Sequence, residues 1–409
     1  MGKDLNGKEL GRGITQRKDG RYMGRIHIRG SKKEVTLYDR NLKMLKNKVN
    51  TYRALAGTSQ WDISMTVTEW FEQWMEIYNV PVLKATTIRN YWDGFKRIQP
   101  LIGDRRVIDI KSNNILSALY VLKENGYAPA TIKQTFTILK VMFSMAYRVR
   151  AVLYNPCEGM RAPTERTHQE IIEREESQNL EKDVQRFLDV CRHTRYYELF
   201  YILSRTGLRI GEACALEWKD VDLERKCIYI DKTVNKVKKY YDSKGRKMES
   251  SKMVAQITSP KKQASYRIVP ISDETVNAFA AWKTKQLADK QRWGRKWGIK
   301  NELLKDFPDL IFTTSPGKTY LPGYATQECK RISDCINRRE KQMALSENRE
   351  SGFIHIHPHL FRYFYVTKCV EKGMNPVMIG KITGHAEIRM TQHYTRLSDE
   401  FILRQHEVH

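Results

Sequence analysis

The sequence contains no apolar run of about 18 residues, the length that a membrane-spanning helix requires. Its first residues, MGKDLNGKELGRG, have no apolar core and do not resemble a signal peptide. None of the seven cysteines belongs to a C-x-x-C pair, and their odd number argues against a disulfide framework and against a zinc ribbon. These absences predict a cytoplasmic protein in a reducing compartment.

Acidic residues are scarce relative to basic ones. The 47 Asp and Glu residues face 72 Lys and Arg residues, which gives a net charge of +25. Such a surplus favours a polyanionic partner, because each Lys or Arg that meets a phosphate releases condensed counterions. A merely soluble basic protein would show the same charge, so the charge alone does not decide. With 409 residues, 41% of them hydrophobic, the chain can form two or three domains with buried cores.

Residues 1–60 are predicted to form a small basic module, with 15 basic and 5 acidic residues. Residues 13–17, 21–28 and 34–38 have the character of three β-strands separated by turn signals. Residues 40–55 then show helical periodicity. Arginines recur on or beside the hairpin, which favours DNA contact over simple solvation; they are Arg17, Arg21, Arg25 and Arg29.

Residues 61–158 are predicted to form a helical domain, followed by a charged linker over 159–180. A first helix carries Trp70, Phe71, Trp74, Met75 and Ile77 on its apolar face, and a second runs from about residue 87 to 102. The last has the clearest period, with Ile132, Phe136, Leu139, Phe143 and Ala146 spaced by four and three. These side chains fit a protein core better than stacking on bases.

Residues 181–409 are predicted to form the last domain, with helices at both ends and a basic, β-rich stretch near 226–271. The whole chain is therefore expected to be multidomain and mainly α, with small β elements. It would consist of an N-terminal three-stranded sheet plus helix, a helical domain and a mixed α/β domain.

Two segments of the last domain place basic residues where they could meet a phosphate. In residues 206–212, Arg209 follows a glycine at the start of an apparent helix, with Glu212 one turn later. In residues 259–270, lysines stand in a turn between two strand-like runs, within a stretch (231–262) of ten basic and three acidic residues. Taken alone, each segment favours the ordinary interpretation, a plain helix start for the first and a solvated hairpin for the second.

A third segment contains His359 and Arg362, which are three residues apart and would share one face of a helix. The alternation of His355, His357 and His359 raises the alternative of a metal site. Pro358 interrupts that alternation, and no nearby carboxylate or cysteine completes a ligand set. The pattern therefore favours a histidine and arginine pair over a metal centre.

The fourth segment is Gly384-His385, with Tyr394 nine residues beyond the histidine. The four segments together suit phosphoryl transfer. Two arginines can clamp the non-bridging oxygens of a phosphate, and preorganised charge of this kind is often the largest catalytic contribution. A tyrosine can attack and hold the phosphate as an ester, while a lysine protonates the departing 5′-oxygen and histidines move protons near neutral pH. Such an ester keeps the energy of the broken bond, so rejoining needs no ATP, metal or other cofactor.

With these motifs the sequence resembles the tyrosine recombinase family, in particular the integrases of phages and conjugative transposons, over nearly the whole chain. In that family Tyr394 would be the nucleophile, and Lys261 the general acid, with its neighbour Lys262 as an alternative. Glu212 would orient the arginine clamp. The resemblance implies the catalytic set Arg209, Lys261, His359, Arg362, His385 and Tyr394.

Two positions depart from the family pattern. Phe361 stands where leucine is common, and Tyr363 stands where histidine is common. Phe361 keeps an apolar side chain, and position 363 is not catalytic in the family. Tyr363 and Tyr365 are rival tyrosines to Tyr394, but they flank Arg362, so we expect packing roles for both.

The order of domains also resembles that of these integrases. It implies that residues 1–60 are an arm-type DNA-binding domain, and that residues 61–158 are a core-binding (SAM-like) domain that forms a clamp around DNA with the catalytic domain. The family works as a tetramer on two double-stranded DNA sites through a Holliday junction, with an excisionase or a DNA-bending protein as possible partners and no membrane partner. The tail after Tyr394, with Phe401, Ile402 and Leu403, would dock on a neighbouring subunit or pack on its own domain.

Three other functions compete with this interpretation. A type IB topoisomerase uses similar chemistry, but the separate basic N-terminal module and the Gly-His spacing count against it. A DNA-binding regulator that lost activity would not need the intact set from Arg209 to Tyr394. A DDE-type transposase would need three metal-binding carboxylates in an RNase H-like fold, and nothing in the sequence indicates them.

Overall fold

The computed structural model describes residues 2–27, 34–58, 61–62, 64–163, 180–242, 244–260, 265–349, 351–352 and 354–384. These residues form two compact units. The first contains the described residues up to 163 together with Lys238–Lys252, and the second contains those of 180–237 and 253–384. The predicted fold class is confirmed: small sheets accompany a mainly helical chain.

The first unit begins with a small sheet packed on one helix. Strands β1 (Gly2–Lys3) and β2 (Glu9–Gly11) pair with each other, and β3 (Ile14–Gln16), β4 (Tyr22–His27) and β5 (Glu34–Asp39) form an antiparallel sheet in that order. Helix α1 (Leu42–Thr58) covers one face of the sheet, where Ile26 and Val35 meet Leu45. Gly24 lies directly under this helix, and a Cβ at this position would come within 2.5 Å of a methyl group of Val49, so the close packing requires glycine. The three predicted strands and the helix are confirmed, while β1 and β2 were not predicted.

The helical part of the first unit contains α2 (Val67–Trp74), α3 (Ala85–Ile102), α4 (Ser112–Glu124) and α5 (Pro129–Arg148). Helix α2 begins with a capping box, in which Thr66 accepts a hydrogen bond from the backbone of Glu69 and the Glu69 carboxylate accepts one in return. All five apolar residues that define the period of α5 are buried. The aromatic residues of this region form the hydrophobic core that the sequence predicts.

One residue of the predicted first helix lies on the wrong face. A π-helical turn over Met75–Asn79 follows α2, and the Val80 amide donates to the carbonyl of Met75 at 2.8 Å. The wider turn changes the direction of the side chains that follow Trp74. Ile77 is consequently 53% exposed, so its assignment to the apolar face was wrong.

The second unit begins with α6 (Leu180–Cys191), α7 (Tyr197–Thr206) and the short α8 (Ile210–Ala213). A three-stranded sheet follows in the order β10 (Arg267–Pro270), β7 (Cys227–Ile230) and β6 (Val221–Asp222). Between its strands the chain forms a long hairpin of β8 (Thr233–Tyr241) and β9 (Lys247–Thr258). The remaining helices are α9 (Asp273–Trp293), α10 (Leu303–Asp306), α11 (Pro322–Ser346), α12 (Pro358–Glu371) and α13 (Pro376–Thr383).

The core of the second unit fixes α12 against α6 and α7. Phe361 of α12 is fully buried, and its ring centroid lies 5.5 Å from those of both Phe187 and Phe200. Phe361, which stands where leucine is common in the family, thus belongs to an aromatic cluster in the core. Packing at Phe361 holds the first turn of α12, and with it the side chain that follows at position 362.

The far end of the long hairpin, Lys238–Lys252, belongs to the first unit. Tyr240 stacks on Trp92 of α3 with a centroid distance of 5.2 Å, and the amino group of Lys247 lies 5.0 Å from the centroid of the same indole. Tyr240 and Tyr241 both join the core of the helical part. This part of the basic stretch 231–262 therefore combines lysines with two tyrosines that are packed in a hydrophobic core.

All seven cysteines lie among the described residues as free thiols, six of them buried. No helix in the described part of the chain has the length and apolar character to cross a membrane.

Candidate active site

Arg209 is held at the start of the short helix α8. Helix α7 ends at Gly207, whose φ of 61° is the left-handed conformation that favours glycine. The chain then turns so that Arg209 becomes the N-cap of α8, and the carboxylate of Glu212 reaches back to it. Glu212 accepts hydrogen bonds from the Arg209 backbone amide at 2.9 Å and from Nη1 of its guanidinium at 2.8 Å. The Arg-x-x-Glu spacing is thus a capping arrangement that also aims the arginine side chain.

Arg362 is the most deeply buried cation of the site. It lies on α12, it is 1% exposed, and its Nη1 donates to the carbonyl oxygen of Gly207 at 2.8 Å. Its Nη2 donates to the carbonyl oxygen of Thr383 at 2.6 Å. Buried charge is tolerated only with such partners. These bonds tie α12 to the turn before Arg209 and to the end of α13.

His359 lies in the first turn of α12, one turn before Arg362. Although its side chain is exposed, partial desolvation is the main cause that lowers its pKa below the ordinary value, followed by the positive charges of Arg362, His357 and Arg209. His359 therefore favours the neutral imidazole near pH 7, a form that can both donate and accept a hydrogen bond.

Three arginines meet at the C-terminal end of α13. The last carbonyls of a helix lack partners inside the helix and carry partial negative charge. Here the carbonyl oxygen of Thr383 accepts from Arg362, that of Gly384 accepts from Nη2 of Arg209 at 3.0 Å, and that of Ile382 accepts from a third arginine. Gly384 ends the helix with a φ of 70°, which glycine adopts readily. The helix end is therefore the point at which the separate segments converge.

The third arginine, Arg267 of β10, was not predicted as a site residue. Its Nε donates to the carbonyl oxygen of Ile382 at 2.6 Å, and its side chain is 4% exposed. The sequence did contain a signal. Arg267 and Val269 are two residues apart and share a strand face, Val269 is buried, and the intervening Ile268 is exposed. An arginine on the inward face of a strand indicates a buried partner.

That partner is Glu212, which is 4% exposed. Nη1 and Nη2 of Arg267 donate to the two carboxylate oxygens at 3.1 and 2.8 Å, a bidentate pair. Burial is the largest single influence on the pKa of Glu212 and would raise it. The hydrogen bonds from Arg267 and the charges of Arg267 and Arg209 together outweigh burial and lower the pKa below its ordinary value. Glu212 is thus a fixed carboxylate anion between two guanidinium groups.

The structure brings together Arg209, Glu212, His359 and Arg362 of the predicted site. Lys261, its neighbour Lys262, His385, Tyr394 and the tail beyond it lie outside the described residues.

The two rival tyrosines differ in their surroundings. Tyr365 packs on the turn at Gly207, where a Cβ would lie 2.5 Å from its ring, and burial raises the pKa of its phenol. Tyr363 is partly buried against the core of the same unit. The imidazoles of His355 and His357 lie with centroids 6.1 Å apart, and within the described ranges no group of three or more His, Cys, Asp or Glu could hold a metal ion.

The basic residues of the N-terminal sheet are exposed. Arg17 and Arg21 flank the turn between β3 and β4, where both form ion pairs with Asp19 at 3.5 and 2.8 Å. Their guanidinium carbons lie 5.5 and 5.9 Å from the centroid of Tyr38. Arg25 lies on the face of β4 that points away from α1. Arg29 lies outside the described residues.

Two family models match the chain. The model of the phage integrase family matches residues 179–400, and that of the phage integrase N-terminal SAM-like domain matches residues 66–117. A tyrosine recombinase XerC-like protein of Caldanaerobacter subterraneus is 26% identical over 80% of this chain and 78% of its own length. The transposase of transposon Tn916 from Enterococcus faecalis is 25% identical over 72% of this chain and 64% of its own length.

Solved structures share the fold. The Tn1549 transposon integrase in complex with a circular intermediate DNA has a TM-score of 0.61 at 20% identity, covering 84% of this chain and 99% of that one. A lambda integrase tetramer bound to a Holliday junction has a TM-score of 0.50 at 17% identity, covering 96% of this chain and 98% of that one. Because the integrase model covers more than half of the chain, the family is settled. The chain belongs to the phage integrase family, and it is a tyrosine-type site-specific DNA recombinase of the kind that integrates and excises mobile genetic elements.

Proposed function

We propose that this recombinase cuts each DNA strand by attack of Tyr394 on the scissile phosphate, and that Arg209 and Arg362 form the clamp that holds this phosphate. One observation carries the proposal: guanidinium groups from two distant segments converge on the end of α13, the helix that leads into the segment bearing His385 and Tyr394. A clamp and a nucleophile on neighbouring pieces of chain are what a covalent phosphoryl transfer requires.

The two clamp arginines have different tasks. Arg209 keeps a side chain that is 36% exposed and reachable by a substrate, whereas Arg362 is buried and already donates to two carbonyl oxygens. Planar guanidinium donors suit the non-bridging oxygens of a phosphate, whose negative charge grows as the phosphorus becomes pentacoordinate. Glu212 keeps Arg209 aligned and does not itself react.

The chemical step balances without an external co-reactant. The phenolic oxygen of Tyr394 forms a bond to phosphorus, the bond from phosphorus to the 5′-oxygen breaks, and a 3′-phosphotyrosyl ester remains. The tyrosine loses a proton, and Lys261 supplies one to the departing 5′-oxygen, with Lys262 as its alternative. Attack by a 5′-hydroxyl of the partner strand reverses the step and rejoins the DNA.

The two histidines belong beside the phosphate. A neutral His359 can accept the proton of the attacking phenol or donate to a phosphate oxygen, and the lowered pKa of His359 supports both uses. His385 follows directly after Gly384, whose carbonyl oxygen binds Arg209, so the chain connection supports a place for His385 near the same phosphate.

The remaining parts of the chain are proposed to hold DNA and partners. Residues 1–60 would bind arm-type sites through Arg17, Arg21, Arg25 and Arg29. Residues 61–158 would bind the core site together with the catalytic domain, 181–409, after the linker over 159–180. Four copies would assemble on two sites, as in the lambda tetramer, with the tail after Tyr394 docked on a neighbour. An excisionase and a DNA-bending protein are further proposed partners, all acting in the cytoplasm.

A denaturing gel tests the nucleophile. The protein is incubated with nicked DNA that carries the ends of its own mobile element, without metal or ATP. Wild-type protein should give a shifted, protease-sensitive DNA band, and Tyr394→Phe should give none while binding the DNA with unchanged affinity. Tyr363→Phe is the matched control, because it removes the same hydroxyl from a rival tyrosine, and it should keep the adduct.

The outcomes separate the competing functions. An adduct that persists in Tyr394→Phe would show that another residue is the nucleophile. No adduct with wild-type protein, despite binding, would favour an inactive regulator. Relaxation of supercoiled DNA without exchange between two sites would favour a topoisomerase.

A further inference from the structure

We infer that Arg267 is a positioning residue for strand cleavage: its guanidinium group joins the Glu212 carboxylate to the end of helix α13 and thereby fixes the direction of the Arg209 side chain. The inference rests on the proposed function of Arg209 as a phosphate clamp.

The geometry of Arg267 uses the whole guanidinium group. Nε donates to the carbonyl oxygen of Ile382 at 2.6 Å. Nη1 donates to Glu212 Oε1 at 3.1 Å and to the carbonyl oxygen of Ser265 at 3.2 Å. Nη2 donates to Glu212 Oε2 at 2.8 Å. One rigid, planar group therefore sets three pieces of chain in a fixed relation, which the single ammonium of a lysine could not reproduce.

Glu212 transmits this constraint to Arg209. Its Oε1 accepts from Nη1 of both arginines, and its Oε2 accepts from the Arg209 amide and from Nη2 of Arg267. Without the guanidinium group of Arg267, the Glu212 carboxylate would be held only by the donors of Arg209. The Arg209 guanidinium, which Glu212 orients, would then sample more directions.

Burial distinguishes the two arginines. The side chain of Arg267 is 4% exposed, and that of Arg209 is 36% exposed. A substrate phosphate can reach Arg209, while each of the three guanidinium nitrogens of Arg267 already donates to a protein acceptor. Arg267 consequently acts through Glu212 and the helix end. It also lies six residues after Lys261 in the chain and donates to the carbonyl oxygen of Ser265, the first described residue after that lysine.

Arg267→Lys tests the inference, since it keeps the positive charge and removes the two guanidinium donors that bind the Glu212 carboxylate. With nicked DNA at saturating protein, the rate of adduct formation should fall at least tenfold, while DNA affinity stays unchanged. The acid limb of the pH–rate profile should also move to higher pH. The reason is that Arg267 helps to keep the pKa of Glu212 low, so a Glu212 with fewer donors protonates at a higher pH and releases Arg209.

The chain offers a matched control in Arg186→Lys. Glu340 is a second buried carboxylate held by two arginines, with Arg186 Nη2 at 2.7 Å and Arg349 Nη1 at 2.6 Å, on helices α6 and α11 and the loop after α11. The Arg186 side chain is 37% exposed, but the carboxylate that it holds is buried. If loss of a guanidinium that holds a buried carboxylate acted only through general stability, Arg186→Lys would slow adduct formation as much as Arg267→Lys. We expect it to keep the wild-type rate and pH profile.

A double variant keeps the test decisive if Arg267→Lys folds less well. In the Glu212→Gln background, adding Arg267→Lys should slow the reaction by less than twofold further, because both changes break one connection. Multiplicative rate losses, or a wild-type pH profile in Arg267→Lys, would overturn the inference and leave the proposed function standing. Absence of an adduct with the wild-type protein would instead overturn the proposed function itself.

Discussion

At the scale of single residues, the two clamp arginines should fail in different ways. Arg209→Ala and Arg362→Ala should each slow adduct formation by about 10²–10³-fold, the range for a lost charge-stabilising donor. Only Arg362→Ala should also lower the melting temperature, because Arg362 is 1% exposed and its loss strands two buried carbonyl oxygens, at about 1–3 kcal/mol each. Gel assays and thermal unfolding measure the two effects.

Arg205→Ala provides the comparison for these variants, since Arg205 is an exposed arginine in the last turn of α7. It should retain both cleavage and melting temperature. Equal destabilisation by Arg209→Ala and Arg362→Ala would contradict the different burial of the two side chains.

Sequence patterns selected four residues that the structure brings together, and they missed a fifth. Arg209, Glu212, His359 and Arg362 were selected because their residue types and spacings resemble the family motif, and their catalytic roles stay predictions. Arg267 was missed because its role depends on meeting Glu212 across 55 residues of chain, and no local pattern encodes that meeting. The inward strand position of Arg267 was the one local sign of a buried partner.

At the scale of elements, the turn between α7 and α8 should tolerate no side chain. Gly207→Ala must adopt a φ of 61° and place a Cβ 2.5 Å from the Tyr365 ring. A left-handed backbone alone costs about 1–2 kcal/mol. The clash should add to this and displace the carbonyl oxygen that binds Arg362, so both stability and cleavage should fall.

Gly373→Ala separates the two causes in that experiment. Gly373 also has a positive φ, 73°, after the end of α12, but a Cβ there meets no atom within 4 Å. Its substitution should cost only the backbone strain and should leave cleavage intact. If chemical denaturation gave equal losses for both variants, the packing of Tyr365 on Gly207 would contribute nothing.

Element prediction was accurate where one period continued and wrong where it broke. The run from Ile132 to Ala146 keeps helical spacing throughout, and all of its apolar residues are buried in α5. Ile77 fits the α-helical spacing in the sequence, but it lies in the π-helical turn Met75–Asn79. Such a turn depends on tertiary packing and has no reliable sequence signature. Strands β1 and β2 were not predicted because two or three residues are too few to show the alternation of apolar and polar residues that identifies a strand.

At the scale of the whole molecule, the charge of +25 predicts how binding should respond to salt. A protein that neutralises several phosphates loses affinity steeply as salt rises, because released counterions must be displaced into a more concentrated solution. Each phosphate contact changes the slope of log affinity against log salt by about 0.9 on double-stranded DNA. The slope therefore reports the number of phosphate contacts, and the change in slope on substitution shows whether a given arginine makes one of them.

Arg25 gives the sharpest case, because it is exposed on the open face of β4 and its side chain points away from the core that α1 covers. On DNA that contains arm-type and core sites, Arg25→Ala should weaken binding and reduce the slope by about one unit. On core-site DNA alone, the same variant should match the wild type, since residues 1–60 are proposed to bind only the arm sites. Fluorescence anisotropy at several salt concentrations measures both slopes. Equal reductions on the two DNAs would place Arg25 at the core site and contradict an arm-binding role for the N-terminal sheet.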